Sequence, residues 1–139
     1  MKENDYYSIA CRDLRYLQFT IGLPFYNNII FQCEQIIEKL LKSVIELYDT
    51  HSFLLYSSNI VQLKDEVISY IGNIGLNTKD AQIITKYVNN TRYPGENYII
   101  VNKEDCTKAL KLCYLLLNEI NIFRQKKGLE IENEIEEIL

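Results

Sequence analysis

The chain has 139 residues, of which 47% are hydrophobic and 24% are charged, as is typical of one soluble globular domain. Five glycines and two prolines are too few for a loop-rich sandwich or a low-complexity chain. No apolar run approaches the roughly 20 residues that a membrane-spanning helix needs, and the charged first residues do not resemble a secretory signal. We therefore expect a cytoplasmic protein with no membrane contact.

The charge is unevenly distributed. The net charge is −4, but residues 129–139 carry five glutamates and no base, which leaves residues 1–128 at +1. Strong non-specific nucleic-acid binding is therefore not expected, since it needs a basic surplus. One histidine cannot form a two-histidine metal site, and the four cysteines form no CxxC pair. We expect four buried free thiols, no metal and no cofactor.

The first two predicted helices follow from apolar stripes at helical spacing. Residues 4–21 form an amphipathic helix, which Gly22 and Pro24 interrupt. Pro24 is expected in the first turn of the next helix, over residues 25–48. Between its apolar positions this long helix carries charged side chains, which predict a solvated face with Glu38 and Lys42 as a favourable i,i+4 pair. These side chains are Glu34, Glu38, Lys39, Lys42 and Glu46.

Three further helices are predicted after the turn at residues 49–52. Ser57 or Ser58 is expected to cap a helix that ends near Ile71, and Thr78 a short helix up to Val88. Asn102, with Asp105 three residues on, predicts a capping box at the start of the last long helix. The chain is therefore predicted to be all-α. Residues 89–101 are unusually long for a helix connection, and such connections are often functional.

Residues 129–139, here called the tail, are predicted as a short acidic amphipathic helix separate from the domain of residues 1–128. Ile131, Ile135 and Ile138 fall at positions i, i+4 and i+7 among the glutamates. Because this stripe is too narrow for a core of its own, the tail should dock on the body or on another chain. The three isoleucines are its candidate partner-binding residues.

The order of several motifs resembles the HEPN family over roughly residues 5–123. The first helix contains Tyr7-xx-Ala10-xx-Asp13-Leu14-xx-Leu17, and the long helix contains Phe31-Gln32-Cys33-Glu34-Gln35-xx-Glu38-Lys39-xx-Lys42. His51 follows in the next turn, and Thr91-Arg92-Tyr93-Pro94-Gly95 precedes the last long helix. The resemblance implies an up-and-down antiparallel bundle of four to five helices. It also implies a homodimer and a link to small nucleotidyltransferases.

Some families of this kind are metal-independent RNases whose motif is an arginine followed four to six residues later by a histidine. This sequence has no such pair, because neither Arg92 nor Arg124 is followed by a histidine and no arginine precedes His51 in that window. We therefore assign no catalytic residue and do not carry the RNase activity over. The resemblance then implies a non-catalytic nucleotide-binding or partner-binding module.

Arg92 and Tyr93 are the best candidates for a nucleotide site, since an arginine fork beside an aromatic ring suits a phosphate and a base. The alternative is that Arg92 binds backbone carbonyls while Tyr93 anchors the loop. Glu38, Lys39 and Lys42 either line a polar groove or form a solvated face. His51 is a further ligand candidate, with a turn or helix-cap role as its alternative.

Two other functions stay open at this point. The chain could be a diverged RNase or toxin component whose His51 and Arg92 meet in space, with histidine as the proton shuttle. It could also be a structural adaptor that docks through its acidic tail.

Overall fold

A computed structural model describes residues 4–132 and 135–139, and these ranges contain five α-helices, one short 3-10 helix and no strand. The all-α prediction is therefore confirmed. The helices are α1 (Tyr6–Gln18), α2 (Tyr26–Tyr48), α3 (Ile60–Ile71), α4 (Thr78–Asn90) and α5 (Lys103–Lys126), and the 3-10 helix spans Phe53–Tyr56. None of these helices is both long enough and apolar enough to cross a membrane.

Asparagine side chains begin three of the helices. Asn59, Asn77 and Asn102 accept hydrogen bonds from the backbone N–H groups three residues on, at 3.2, 2.8 and 2.9 Å. The capping box predicted at Asn102 is confirmed, since its own N–H donates to Asp105. The predicted caps of α3 and α4 were wrong by one or two residues, because asparagine bonds free helix N–H groups as well as serine or threonine does.

One predicted helix end is corrected and another is confirmed. Pro24 does not lie in the first turn of α2, because the cap position is Phe25 and the helix begins one residue later. The predicted stop at Gly128 is confirmed, since this glycine has φ +71°, a left-handed conformation that ends a helix at little cost.

Helices α1 and α2 form an antiparallel pair. At one end of the pair the backbone N–H of Tyr6 donates to Glu46 at 3.0 Å. About two turns further along α1, Asp13 pairs with Lys39 of α2 at 2.5 Å. As the residue number rises along α1, that of its partner on α2 therefore falls. The chain makes this reversal in the seven residues between the two helices.

Helix α5 lies beside α2 in the parallel direction. The thiol of Cys106 donates to the carbonyl oxygen of Tyr26, and that of Cys113 to the carbonyl oxygen of Cys33. All four cysteines are free and buried, as predicted.

Helix α2 is the centre of the bundle, because α1, α3, α4, α5 and the 3-10 helix all pack on it. Its buried apolar side chains face in several directions around the helix rather than along one stripe. Burying each of these groups stabilises the fold by roughly 1.5–3 kcal/mol relative to exposure. The fully buried apolar residues of α2 are Ile30, Cys33, Ile36, Ile37, Leu40, Leu41, Val44 and Ile45.

The helix predicted in the tail was wrong for the described residues 129–132 and 135–139, which contain no helix. A segment this short gains too little from intrahelical hydrogen bonds to be helical without support. Its backbone groups instead bind side chains of α1 and α5. Of its predicted partner-binding residues, Ile135 packs on the core of this chain, Ile131 is half-buried and Ile138 is exposed.

Candidate functional site

Arg92 lies two residues after the end of α4, where the long connection to α5 begins. Its Nε donates to the carbonyl oxygen of Val88 at 2.6 Å, within the last turn of α4. Its guanidinium lies over two aromatic rings, with 4.4 Å to the ring centroid of Phe31 and 5.1 Å to that of Tyr93. We call Phe31, Arg92 and Tyr93 the arginine clamp. The free carbonyl groups at the C-terminal end of α4 favour a positive charge at this position.

The clamp is open to solvent. Arg92 is exposed, and the Tyr93 side chain is 60% exposed. Within residues 4–132 and 135–139, the two terminal nitrogens of Arg92 donate to no protein acceptor. The backbone contact predicted as the alternative role of Arg92 does exist, but it uses only one of the five guanidinium N–H groups. The terminal nitrogens of this exposed guanidinium are therefore left without an acceptor among the described residues, beside an exposed ring.

Asn27 of α2 holds the crossover that carries the clamp. Its side-chain NH₂ donates to the carbonyl oxygens of Ile99 at 2.7 Å and Thr91 at 3.3 Å, and to the hydroxyl of Tyr98 at 3.0 Å. Its side-chain oxygen accepts from the N–H of Val101 at 2.9 Å. One amide thus ties both ends of the connection to the start of α2, and residues 91–101 contain no strand or helix.

The predicted solvated face of α2 was wrong for three of its charged residues. Glu34, Glu38 and Lys42 follow one another at four-residue spacing and are buried, whereas Lys39 and Glu46 are half-buried. The reason is that α2 is central, so the surrounding elements cover positions that would be exposed on a peripheral helix. We call Glu34, Glu38 and Lys42 the polar stripe.

Glu34 lies on the clamp side of the polar stripe. Gln35 donates to its Oε2 at 2.7 Å, while its Oε1 is buried with no hydrogen-bond partner. Burial raises the pKa of this carboxyl from 4.5 to about 7, with a further increase from Glu38 that the charge of Arg92 opposes. Glu34 therefore holds a proton over much of the acidic to neutral range.

Glu38 and Lys42 form a buried ion pair, with 3.1 Å between Lys42 Nζ and Glu38 Oε2. The ammonium also lies 5.8 Å from the ring centroid of Tyr6. The second oxygen of Glu38 is buried without a partner. An ion pair this deep supports the arrangement of the surrounding helices and is costly to break from one side.

The six predicted ligand residues do not converge on one site. Arg92 and Tyr93 lie together in the clamp, while Glu38 and Lys42 are covered. Lys39 points toward α1, where it pairs with Asp13.

His51 is exposed and follows the other end of α2, where its N–H donates to Asp49 at 3.1 Å. Because the helix rises 1.5 Å per residue, the distance from Phe31 in the clamp to Tyr48 at that end is about 26 Å. The hypothesis that His51 and Arg92 meet is therefore wrong within one chain.

Comparison with known sequences bears on the family. The family whose sequence model matches is the HEPN domain, over residues 4–123, which is most of the chain. The protein belongs to the HEPN domain family. No curated protein and no solved structure matches the chain. The HEPN match includes α1, α2, the clamp and nearly all of α5, whereas the tail lies outside it.

Sequence reasoning did not identify Phe31, Asn27 and Glu34 as residues in or beside the arginine clamp. A signal for Glu34 was present: it lies four residues after Ile30 and three before Ile37, so it occupies the apolar face of α2. No comparable signal marks Asn27, because its partners, three backbone groups and the Tyr98 hydroxyl, are more than 60 residues away.

Proposed function

We propose that this HEPN protein is a non-catalytic module that binds a nucleotide at the arginine clamp. The observation that carries the proposal is the exposed guanidinium of Arg92, which contacts two rings and one backbone carbonyl while its terminal nitrogens bind no acceptor among the described residues. A phosphate is the natural ligand for such a group, because guanidinium and phosphate match in a bidentate geometry.

The clamp suits a phosphate and a base together. A charged hydrogen bond contributes roughly 1.5–3 kcal/mol, and stacking a base on an aromatic ring contributes about 1–3 kcal/mol. The exposed face of Tyr93 is the stacking surface in this proposal. Because contacts within the protein already restrict Arg92, little conformational entropy is lost when the ligand binds.

The position of His51 supports a binding role over a hydrolytic one. An RNase site needs a proton-transferring group within hydrogen-bond reach of the reacting phosphate. The imidazole is at the far end of α2, and the carboxyls of the polar stripe are covered. We therefore expect the protein to bind the nucleotide and release it without hydrolysing it.

Isothermal titration calorimetry of the full chain with ATP, GTP and oligoadenylate tests the proposal. We expect at least one of the three to bind, and Arg92→Lys to raise its Kd about tenfold or more, since lysine keeps the charge but loses the fork. Tyr93→Leu should also weaken binding, while Lys126→Gln, which removes an exposed charge at the far end of α5, should leave the Kd unchanged. No binding by any ligand, or equal binding by all variants, would overturn the proposal.

We also propose that the module pairs as a homodimer, with a nucleotidyltransferase as its further partner. The support within the chain is a group of exposed apolar side chains around the turn between α1 and α2, since such patches mark interaction surfaces. They are Tyr16, Phe19, Leu23 and Phe25.

Sedimentation velocity across micromolar concentrations tests the homodimer. The unaltered chain should sediment as a dimer, and Phe19→Glu should give a monomer, because Phe19 is 87% exposed in the apolar patch. Phe53→Glu is the matched control, since Phe53 is equally exposed on the 3-10 helix at the other end of α2. A monomer at every concentration would contradict the pairing. Co-purification with a co-expressed nucleotidyltransferase tests the further partner, and its absence would remove that part.

A further inference from the structure

Helices α1 and α5 hold the tail mainly through its backbone. The hydroxyl of Tyr7 accepts from the N–H of Glu132 at 2.8 Å, and Arg124 Nε donates to the carbonyl oxygen of Glu130 at 2.8 Å. Contacts of this type continue toward the end of the chain. Gln18 donates to the carbonyl oxygen of Glu136 at 2.6 Å, and the Tyr114 hydroxyl both donates to the carbonyl of Ile138 and accepts from its N–H, at 2.9 and 3.1 Å.

Two side-chain contacts add selectivity to these backbone bonds. Arg15 of α1 forms an ion pair with Glu132, with 2.6 Å between Nη2 and Oε2. Three residues further on, Ile135 packs against the core. The surface between α1 and α5 therefore recognises an extended backbone, one carboxylate and one apolar side chain. We call it the α1–α5 groove, formed by Tyr7, Arg15, Gln18, Tyr114 and Arg124.

The groove side chains are also held by contacts that do not involve the tail. The Tyr7 hydroxyl donates to Asn121 at 2.6 Å, and the guanidinium of Arg124 lies 3.9 Å from the centroid of the Tyr7 ring. Gln18 donates to the Tyr114 hydroxyl at 2.9 Å. The recognition groups are thus positioned by the bundle itself, which lowers the entropic cost of binding a peptide.

None of the described tail residues is fully buried. Ile138 and Leu139 are 47% and 58% exposed, while Leu129, Ile131 and Ile135 are half-buried, and of these Ile135 packs against the core. Segments with few buried apolar groups detach locally at low free-energy cost. The tail also lies outside the residues that match the HEPN family, so the bundle and the tail are separable features of this chain.

We propose that the α1–α5 groove is a binding site for an extended acidic peptide and that the tail occupies it as a displaceable ligand. The partner is a peptide with a carboxylate that pairs with Arg15 and an apolar residue three positions later. Its backbone satisfies the hydrogen bonds of Tyr7, Gln18, Tyr114 and Arg124. The five groove residues include two arginines and no carboxylate, and Glu132 of the acidic tail pairs with one of these arginines.

The test uses the full chain carrying Glu132→Arg and Ile135→Asp, which weaken the tail and leave every groove residue unchanged. A fluorescent peptide with the sequence of residues 129–139 is the probe, and binding is followed by fluorescence anisotropy. We expect this variant to bind the peptide at least about tenfold more tightly than the unaltered chain, in which the tethered tail competes at a high effective concentration. Glu137→Arg, an equal charge reversal at an exposed tail position, should exclude the peptide as the unaltered chain does.

A charge exchange makes the result specific to the groove. The released chain for this exchange carries Glu132→Ala and Ile135→Asp, so that its own tail cannot pair with a reversed residue 15, and adding Arg15→Glu to it should abolish binding of the unaltered peptide. A peptide with Glu132→Arg should then bind this triple variant, since the ion pair is restored in reverse. Equal binding by the unaltered and released chains, no binding by either, or no rescue by charge exchange overturns the proposal. Loss of helical circular dichroism in both the released variant and Glu132→Arg alone also overturns it, because the tail would then be part of the core.

Discussion

Replacing Glu34 with glutamine should stabilise the protein, and by more at alkaline than at acidic pH. The carboxyl is fully buried, with one oxygen bonded to Gln35 and the other without a partner. Glutamine has nearly the same shape and keeps the bond from Gln35 through its amide oxygen. It never ionises, so the free energy that the fold spends on a buried charge disappears.

The magnitude follows from the pKa of Glu34, which is raised from 4.5 to about 7 by burial. Well below pH 4.5 the carboxyl is protonated in both the folded and unfolded states, so the raised pKa costs no stability there. As the pH rises from 4.5 to 7, the unfolded chain loses the proton first and the folded state loses stability. Since each pKa unit is worth about 1.4 kcal/mol, the loss reaches about 3 kcal/mol and is constant above pH 7.

Urea unfolding of the unaltered chain and Glu34→Gln, followed by circular dichroism, measures this difference. Near pH 8.5 the variant should be more stable by about 3 kcal/mol, and near pH 5 by less than about 1 kcal/mol. Comparing the two proteins at each pH cancels the titration of all other groups. Glu96→Gln, at an exposed carboxylate of the crossover, should change stability by no more than about 0.5 kcal/mol at either pH.

A stability difference that is independent of pH would refute this reasoning. A variant that is less stable than the unaltered chain near pH 8.5 would refute it more strongly. That result would mean that Glu34 is ionised in the fold and that the charge of Arg92 compensates its burial.

Four further outcomes test the fold and the crossover. Asn27→Ala should speed tryptic cleavage after Arg92 by about tenfold, whereas Asn28→Ala, at the exposed neighbouring position, should not. Ile37→Ala should cost about 2–5 kcal/mol in urea unfolding, because its side chain is fully buried in α2; a cost below 1 kcal/mol would contradict the central position of this helix. Asn102→Ala should lower the free energy of unfolding by about 1 kcal/mol through loss of the capping box, and an unchanged stability would contradict this. A thiol reagent near pH 8 should label none of the four buried cysteines in the native protein and all four in guanidinium chloride, since native labelling requires exposure.

Sequence periodicity was sufficient for the helices because their apolar residues recur at helical spacing. The long helix over residues 25–48 and the capping box at Asn102 were predicted within one residue. The tail prediction failed although it rested on the same kind of periodicity. Ile131, Ile135 and Ile138 match a helical period, but the side chains of α1 and α5 compete for the backbone groups of the tail. Such competition depends on tertiary structure and is absent from the pattern.

The site could be predicted only where its residues are adjacent in sequence. Arg92 and Tyr93 were found together because they are neighbours, and the ring of Phe31 joins them from a helix about 60 residues earlier. The burial of Glu38 and Lys42 was not foreseen, because their charges are typical of an exposed face. The periodicity of α2 does not show how many other elements pack around it, and this packing determines which of its faces are covered.

The most direct test of the binding account is a side-chain NMR titration. The chain has four arginines, Arg12, Arg15, Arg92 and Arg124, so their Nε–Hε signals can be assigned one by one with single lysine variants. On addition of ATP, GTP or oligoadenylate, the Arg92 signal should shift progressively and saturably while the other three stay in place. Shifts confined to Arg12, Arg15 or Arg124, or no shift of Arg92 with any of the three ligands, would contradict the proposal that the clamp binds a phosphate.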